Sequence, residues 1–483
     1  MSFESVTPLH LSVFVAAVGV LLYRMRRSKN AAVADIRGPK SPSFLIGNFG
    51  ELIRGQAGEM DFKWHSQFGN VVRFKAPFGE DRLLISDPKA AGHILQGYTW
   101  GSPPEQRSRS LFFTGNDVGY AQGDDHKRHR RVMNPAFGPS AAKNLVPVFY
   151  LAASSLTTKW KDLLSMSKDE SDVLDIPQWM SRATLDGIGH AAFDYDLGAM
   201  ENQDNRLVAA YDNLLQLIID SLSALIPHKM MAWIYERLSA FSHPLARVRV
   251  ARNVGREVAR ELVSEKTKEI VGGHGSHLKD VMSLLLKANM SPQNEKSRLD
   301  EDEMFAEMLA ILFAGHDTTA NSLSWMLLEL ARHPEVQNKL RREIHDKERQ
   351  LVSEGRAGFA AEDFESLPYL NAFMKESMRY NPASIRINKV ANADDCIPLS
   401  ESIKTASGKE IKEIPVYKGQ KVFISIGGYN RNKAVFGEDA HMFRPERWLE
   451  KEKSESQLTS VGVYANLLTF SGGTRSCVGW RFA

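Results

Sequence analysis

The chain has 483 residues, 43% hydrophobic and 25% charged, which is the composition of a globular protein with length enough for a large buried core. A formal net charge of +3 excludes the strongly basic surface expected of a nucleic-acid partner, and two cysteines, Cys396 and Cys477, exclude a disulfide framework and suit a reducing compartment. After the N-terminus no Pro/Ser-rich linker, low-complexity run or internal repeat divides the chain.

Residues 6–23 carry no Asp, Glu, Lys or Arg, and Arg24, Arg26, Arg27 and Lys29 follow at once. A bilayer-spanning helix takes about 20 residues, so the run is short but usable. A cleaved signal peptide would have positive charge before its apolar run and small residues directly after it. Here Glu4 precedes and a basic cluster follows, which fits an uncleaved anchor whose basic flank stays cytosolic. Pro39 and Pro42, then Gly47-Asn48, read as a stiff connector. The expected organisation is an anchor with its basic flank over 1–30, a proline-rich hinge over 31–50 and one large domain over 51–483.

Val71-Val72-Arg73-Phe74 and Arg82-Leu83-Leu84-Ile85-Ser86 read as short strands about a turn at 77–81. Asp87-Pro88 then opens a helix, with Asp as cap and Pro first. Residues 97–123 hold many breakers and read as a long loop, the kind that is often functional. A basic helix starts at 124–132, where His126 and Arg130 share a face at i,i+4. For Lys127, Arg128 and Arg131 two readings stand: a solvated face, or a docking patch for an acidic redox partner. Residues 145–268 are mostly helical in pattern. The apolar stretch 207–238 is expected to pack in the core, 272–276 to form a loop, and 289–299 to be irregular.

Residues 300–332 predict one long helix, with Glu301, Asp302 and Glu303 at its positive end and Pro334 stopping it. Its middle is interrupted by Ala314-Gly315-His316-Asp317-Thr318-Thr319. Gly, Asp and Thr are poor mid-helix residues, so a loosened turn is expected there, and broken local rules inside a consistent element suggest function. A helix over 368–380 sets Glu376 and Arg379 at i,i+3. Strands are expected at 384–390 and 422–426, and Cys396 is expected to be a small core residue.

Near the C-terminus stands Phe470-x-x-Gly473-x-Arg475-x-Cys477-x-Gly479. Glycine allows tight turns and close approach to a flat ligand. Arginine offers a fork of donors to a carboxylate, and cysteine a thiolate to a metal. These parts describe a cradle for an iron porphyrin. The spacing matches, at every fixed position, the haem-binding signature of the haem-thiolate monooxygenases, and the chain resembles the membrane-bound, fungal-like cytochromes P450 over nearly its whole length. Ala314-Gly315-x-Asp317-Thr318, Glu376-x-x-Arg379 and Pro445-Glu446-Arg447-Trp448 occur in that family's order.

The resemblance implies a mainly α fold with small β-sheets and haem b (iron protoporphyrin IX) ligated by Cys477. Arg475, Phe470, Gly473 and Gly479 would form the loop around it, and His126 and Arg130 would point at a haem propionate. Lys389 falls where the family usually has a propionate-binding arginine, with Arg386 the other basic candidate. Ala314 and Gly315 would leave room above the haem, and Asp317 and Thr318 would relay protons to bound oxygen. Glu376, Arg379 and Arg447 would form a buried structural triad. The 97–123 loop would cover the pocket, and 207–238 would roof it and touch the membrane. The implied reaction inserts one oxygen atom from dioxygen into a lipophilic molecule such as a terpenoid, steroid or aromatic, in secondary metabolism. Electrons would come from NADPH-cytochrome P450 reductase, with cytochrome b5 as a further donor. The implied setting is a monomer on the endoplasmic reticulum, its catalytic domain cytosolic. Two alternatives stay open: an isomerase or peroxide-using haem-thiolate enzyme, and a weakly active or non-catalytic haem protein. The second arises because only residues 478–483 follow Cys477, where the family continues with a full helix and further strands.

Overall fold

The computed structural model describes residues 30–167, 171–201, 228–273, 279–450 and 461–483. The expected anchor and its basic flank therefore lie outside the described residues, as do 207–227 of the apolar stretch and 274–276 of the loop. Among the described residues no helix is long and apolar enough to cross a membrane.

One end of the fold is a sheet. Helix α1 (Glu59–Phe68) leads into β1 (Val71–Lys75) and β2 (Asp81–Ile85), joined by a turn in which Phe78 and Gly79 take φ of 60° and 74°. Asp87 then accepts from Ala90 N at 2.9 Å to start α2 (Pro88–Leu95). With β3 (Trp100–Gly101), β4 (Arg386–Ala391) and β7 (Lys421–Ser425) the sheet order is β1-β2-β7-β4-β3, while β5 (Asp395–Lys404) and β6 (Glu410–Val416) pair separately. β2 runs parallel to β7, Leu84 opposite Phe423. Both faces are covered, so every residue of β2 is buried. Leu84, Val72, Phe74 and Phe423 pack on Trp64 on one face, and Leu83, Ile85, Val422 and Ile424 join the cluster on the other.

The expected loop over 97–123 contains β3 and a helix, α3 (Pro104–Phe113). Pro104 sits in its first turn, and burial of Phe112 and Phe113 supplies what its polar centre lacks in helical pattern. Helix α4 (Gly123–Met133) follows as expected, then α5 (Pro139–Met166) and α6 (Ile176–Phe193). α7 (His228–Leu238) buries Met231 and Ala232 but exposes Met230, Trp233 and Leu238, so the described part of 207–238 is only half core. α8 (His243–Val271) and α9 (Val281–Met290) complete the helices around the longest one, α10 (Glu301–Arg332).

Met304, Phe305, Met308, Leu309, Ile311 and Leu312 of α10 lie in the largest core cluster. Burial of such a side chain contributes about 1.5–3 kcal/mol. α10 opens with a reciprocal capping box: Asp300 accepts from Glu303 N at 2.8 Å, and Glu303 accepts from Asp300 N at 3.0 Å. It ends at Arg332, and Pro334 starts α11 (Pro334–Ser353). The expected loosened turn is absent. α10 is continuous through 314–319, with the Thr318 and Thr319 hydroxyls bonded to the carbonyls of Ala314 and Gly315 at 2.7 and 2.9 Å. Four residues back is the nearest acceptor for a helical threonine, so the polar run is satisfied without a break. α12 (Pro368–Tyr380) and the short α13 (Ile426–Asn430), capped by Ser425, join the helices to the sheet.

Asp300→Ala should raise amide exchange across the first turn of α10 about fivefold, corresponding to about 1 kcal/mol for a lost cap. Asp300→Asn, which keeps an acceptor, should change it far less; hydrogen-exchange mass spectrometry reads both.

Candidate active site

The cysteine loop is held by backbone contacts. Ser471 and Gly473 take φ of 59° and 66°. A Cβ on Gly473 would lie 2.1 Å from Leu95 O and one on Gly472 2.0 Å from Val461 O, so the chain passes there too closely for a side chain. The Cys477 N–H donates to Phe470 O at 2.9 Å, and Thr474 Oγ1 to Gly97 O at 2.9 Å. Gly479 comes against Phe137, and Phe482, one turn on, packs its ring 5.0 Å from the same side chain. Cys477 is exposed, yet flanked closely enough by protein to be partly desolvated. Desolvation there raises its thiol, opposed by a Gly479 backbone hydrogen bond and by the Arg130 charge.

Beside the cysteine loop stands a group of cations. Arg130 donates to Ser476 O at 2.9 Å. Arg475 donates to Ala121 O at 2.6 Å, while its buried Nε has no partner. Lys389 is 4% exposed, and burial plus the Arg475 charge bring its ammonium down to about 8. His126, 2% exposed, lies 3.2 Å from Tyr98 Oη; burial first, then Arg475, Arg130, His129 and Lys389, push it down to about 3. Among the described residues no carboxylate pairs with Arg130, Arg475 or Lys389. Buried charges are normally paired, so three cations with none form a place for an anion. Arg386, the other basic candidate, is committed elsewhere: it forks onto Asp61, which Ser425 also bonds. An iron porphyrin carries two carboxylates and a metal that takes a thiolate, and the residues present fit that group.

Ala314 and Thr318 are exposed and Asp317 is half-buried on α10. Burial raises the Asp317 carboxyl, opposed by His316, and it makes no hydrogen bond among the described residues. Gly315 has a different role from the one expected. Its Cβ would meet Ile188 of α6 at 2.8 Å, so its small size serves close packing of α6 on α10 rather than room in the cleft. Thr184 Oγ1 strengthens that contact through His316 O at 3.0 Å.

Glu376 and Arg379 are both fully buried. Arg379 uses all five N–H donors: Nε and Nη2 on Glu376 at 2.8 and 2.7 Å, the rest on the carbonyls of Asn430, Ala440 and Met442. Arg447 Nε reaches Glu376 at 3.1 Å and its Nη1 reaches Asp439 at 2.8 Å. The sequence reading missed Trp448, which donates to Glu376 at 3.0 Å, although it adjoins Arg447 in the motif. It also missed Tyr98 and Asp439, for which the sequence carries no signal. Arg128 is neither a solvated residue nor a free docking group. It forks onto Glu303 of α10 at 2.5 and 2.8 Å, a partner 175 residues away. Lys127 pairs with Asp124 on the surface, and Arg131 reaches Ser297.

A family model described as Cytochrome P450 matches residues 37–483. Cytochrome P450 monooxygenase 205 of Postia placenta is 31% identical, covering 98% of this chain and 88% of its own. Cytochrome P450 monooxygenase claU of Ampulloclitocybe clavipes is 30% identical over 97% and 86%. Ganoderic acid synthetase CYP5150L8 of Ganoderma lucidum is 31% identical over 93% and 84%.

Glu376→Ala leaves Arg379 and Arg447 buried without their shared carboxylate. It should cost about 3–5 kcal/mol and give insoluble or haem-free protein. Urea denaturation of the soluble fraction and its haem content measure the loss.

Proposed function

The chain belongs to the cytochrome P450 family and is a monooxygenase of it, and from that premise we propose that it inserts one oxygen atom from dioxygen into a lipophilic small molecule, with haem b held through Cys477. The observation that carries this reading is the trio of unpaired cations, Arg130, Arg475 and Lys389, beside an open cysteine. When bound, the haem supplies the redox chemistry of oxygen activation, and a thiolate ligand favours O–O cleavage.

The chain's own residues bind, orient and move protons. Arg475, Arg130 and Lys389 neutralise the two carboxylates, and His126, neutral at working pH, accepts or donates a single hydrogen bond. Ala314, small and exposed on α10, would leave space for the bound group. Thr318 holds its proton on the Ala314 carbonyl and, being exposed, can turn it outward. Asp317, raised by burial, can take a proton from solvent and pass it on. Phe113 of α3 meets Phe313 of α10 edge to face at 4.7 Å, which supports α3 as part of a cover that keeps water out.

The substrate class, a terpenoid, steroid or aromatic, is supported by the apolar run at 207–238 and by a relative named for ganoderic acid. Electrons come from NADPH-cytochrome P450 reductase, with cytochrome b5 as a second donor. Residues 6–23 anchor the chain in the endoplasmic reticulum membrane with the domain cytosolic, as the apolar run and its basic flank support.

Haem-loaded protein, reduced under carbon monoxide, should show a thiolate-type Soret band that Cys477→Ser abolishes. Without that band in the unaltered chain the assignment of Cys477 fails. NADPH-dependent product formation with added reductase should fall about tenfold in Thr318→Ala, in line with loss of one positioned proton donor. The cradle also has a pH signature. Lys389 is charged below about 8 and loses its proton above, so the cradle holds its full positive charge only on the acid side. The affinity ratio of Lys389→Arg to wild type for iron protoporphyrin should therefore rise about tenfold from pH 7 to 9, matching one charged hydrogen bond. The ratio cancels titration of the thiol.

A further inference from the structure

Three segments converge on ionisable side chains that the reading above leaves idle. His129 of α4 and Glu307 of α10 are both fully buried, with Nδ1 and Oε1 2.5 Å apart. Glu303, one turn before Glu307, lies 3.5 Å from His129 Nε2 and takes the Arg128 fork. The segment after α3 supplies Asp117, 5% exposed, which accepts from Ser110 and Thr114 hydroxyls at 2.9 and 2.7 Å and from Tyr120 N at 2.7 Å. Asn116 ties this segment to Glu303 at 2.9 Å. Two buried atoms, Glu307 Oε2 and His129 Nε2, have no hydrogen-bond partner.

Charge balance identifies what such a cluster needs. Three carboxyl groups, Asp117, Glu303 and Glu307, face one guanidinium, Arg128, and one imidazole, His129. Even with His129 charged, one acid has no counter-charge, and a buried carboxylate with an unmet oxygen is costly as an anion. Among the other neighbours, Arg256 of α8 approaches Gly115 but makes no ion pair with Asp117 or Glu307, Arg298 turns its side chain to Asn289 O, and Asp125 is an exposed partner of Arg128. Burial first, against the His129 hydrogen bond, and then the Asp117 charge bring Glu307 up to about 7, with the His129 charge and the Val118 backbone N–H opposing, and burial also raises Asp117. His129 is raised by Glu307 and Glu303 against its own desolvation.

We propose that His129 and Glu307 are positioning residues that share a proton between α4 and α10 and, with Asp117, clasp residues 110–121, so that proton uptake tightens the grip on the helix carrying His126 and Arg130. His129 adjoins Arg130 and lies one turn after His126, so a shift of α4 at the clasp moves both. Ala121, at the end of the clasped segment, holds Arg475. All three groups with raised values bind protons more readily folded than unfolded. For Glu307 the contribution to the grip is full below its ordinary value of 4.5 and is lost as pH rises through about 7. The clasp itself does not depend on the haem reading; only its consequence for the cradle rests on it.

The test is hydrogen-exchange protection in the full chain, haem-loaded and haem-free, at pH 6, 7 and 8.5, corrected for intrinsic exchange. In wild type, protection over 114–133 should fall about tenfold across this range, since about one pH unit separates 6 from the Glu307 value of about 7, while β4 and β7 stay level. Glu307→Gln, whose amide does not titrate, should flatten the profile, and His129→Phe should lower protection at every pH. Should these core variants fail to fold, Asp117→Asn removes the excess acid while keeping acceptors for its hydroxyl partners, and should halve the slope or more. A level wild-type profile, or a slope that Glu307→Gln and Asp117→Asn both leave unchanged, overturns the proposal, as does a slope seen only with haem bound. Absence of haem binding with the slope intact would instead sink the cofactor reading and leave the clasp standing.

Discussion

The carboxylate of Glu376 is the point on which the positions of the other parts depend. It is fully buried and receives five donors: two from Arg379, one each from the Arg447 and Trp448 side chains, and the Arg444 backbone N–H. Arg379 in turn fixes Asn430 O. The Asn430 side chain accepts from Leu468 N at 3.0 Å and donates to Thr469 Oγ1 at 2.9 Å. Phe470 follows, and its carbonyl takes the Cys477 N–H. A continuous hydrogen-bonded path thus runs from the middle of α12 to the cysteine. A buried ion pair of this kind adds little net stability over an apolar core of equal volume, because desolvation offsets attraction. Its value is directional: with every donor of Arg379 committed, the loop that carries Cys477 has one position relative to α12.

The cradle beside that loop obeys the opposite rule. Around Glu376 the carboxylate receives its five donors and every donor of Arg379 is matched. Around His126 the neighbouring charges are all positive, and Arg475 Nε is buried without a partner. Folding alone does not favour such an arrangement, since each cation there loses water and gains repulsion. It becomes favourable when an anion arrives. The matched carboxylate and the group of like charges therefore differ in role, one holding the fold and the other open to an anion.

Much of this was legible in the sequence where the signal is local. Short apolar runs about a turn marked β1 and β2, Asp87-Pro88 and the acids at 301–303 marked helix starts, and the spacing of Glu376 and Arg379 marked a shared face. What failed was direction and distance. Gly315 and Ala314 are both small, but only a backbone in space shows that the missing side chain of Gly315 points at Ile188. Helix α3 has Glu-Gln-Arg-Ser-Arg-Ser through its middle, and Phe112 and Phe113 bury it against distant helices along with Glu105 and Ser108. Arg128 read as a surface charge because Glu303 is remote in the chain. The parallel pairing of β2 with β7 was equally hidden, for strands in a buried sheet carry no mark of their neighbour.

Helix α4 draws these strands of reasoning together. Over Gly123–Met133 it is polar almost throughout, a composition that would leave an isolated helix unstable. It is held because its polar residues are divided among three environments. Lys127 faces solvent and the Tyr98 ring, His126 and Arg130 face the cleft, and Arg128 and His129 face the acids of α10. The first four N–H groups and last four carbonyls of any helix lack internal partners, so a helix of 11 residues has little internal bonding to resist displacement. Its placement must come from side chains. The cleft face cannot supply this, because its cations repel one another until an anion binds. The acids of α10 can, and they do so from residues set by the capping box at Asp300 and by the core under Phe305 and Met308. A cradle of like charges is stable in this fold because the helix that carries it is anchored, on its other side, to an excess of acid.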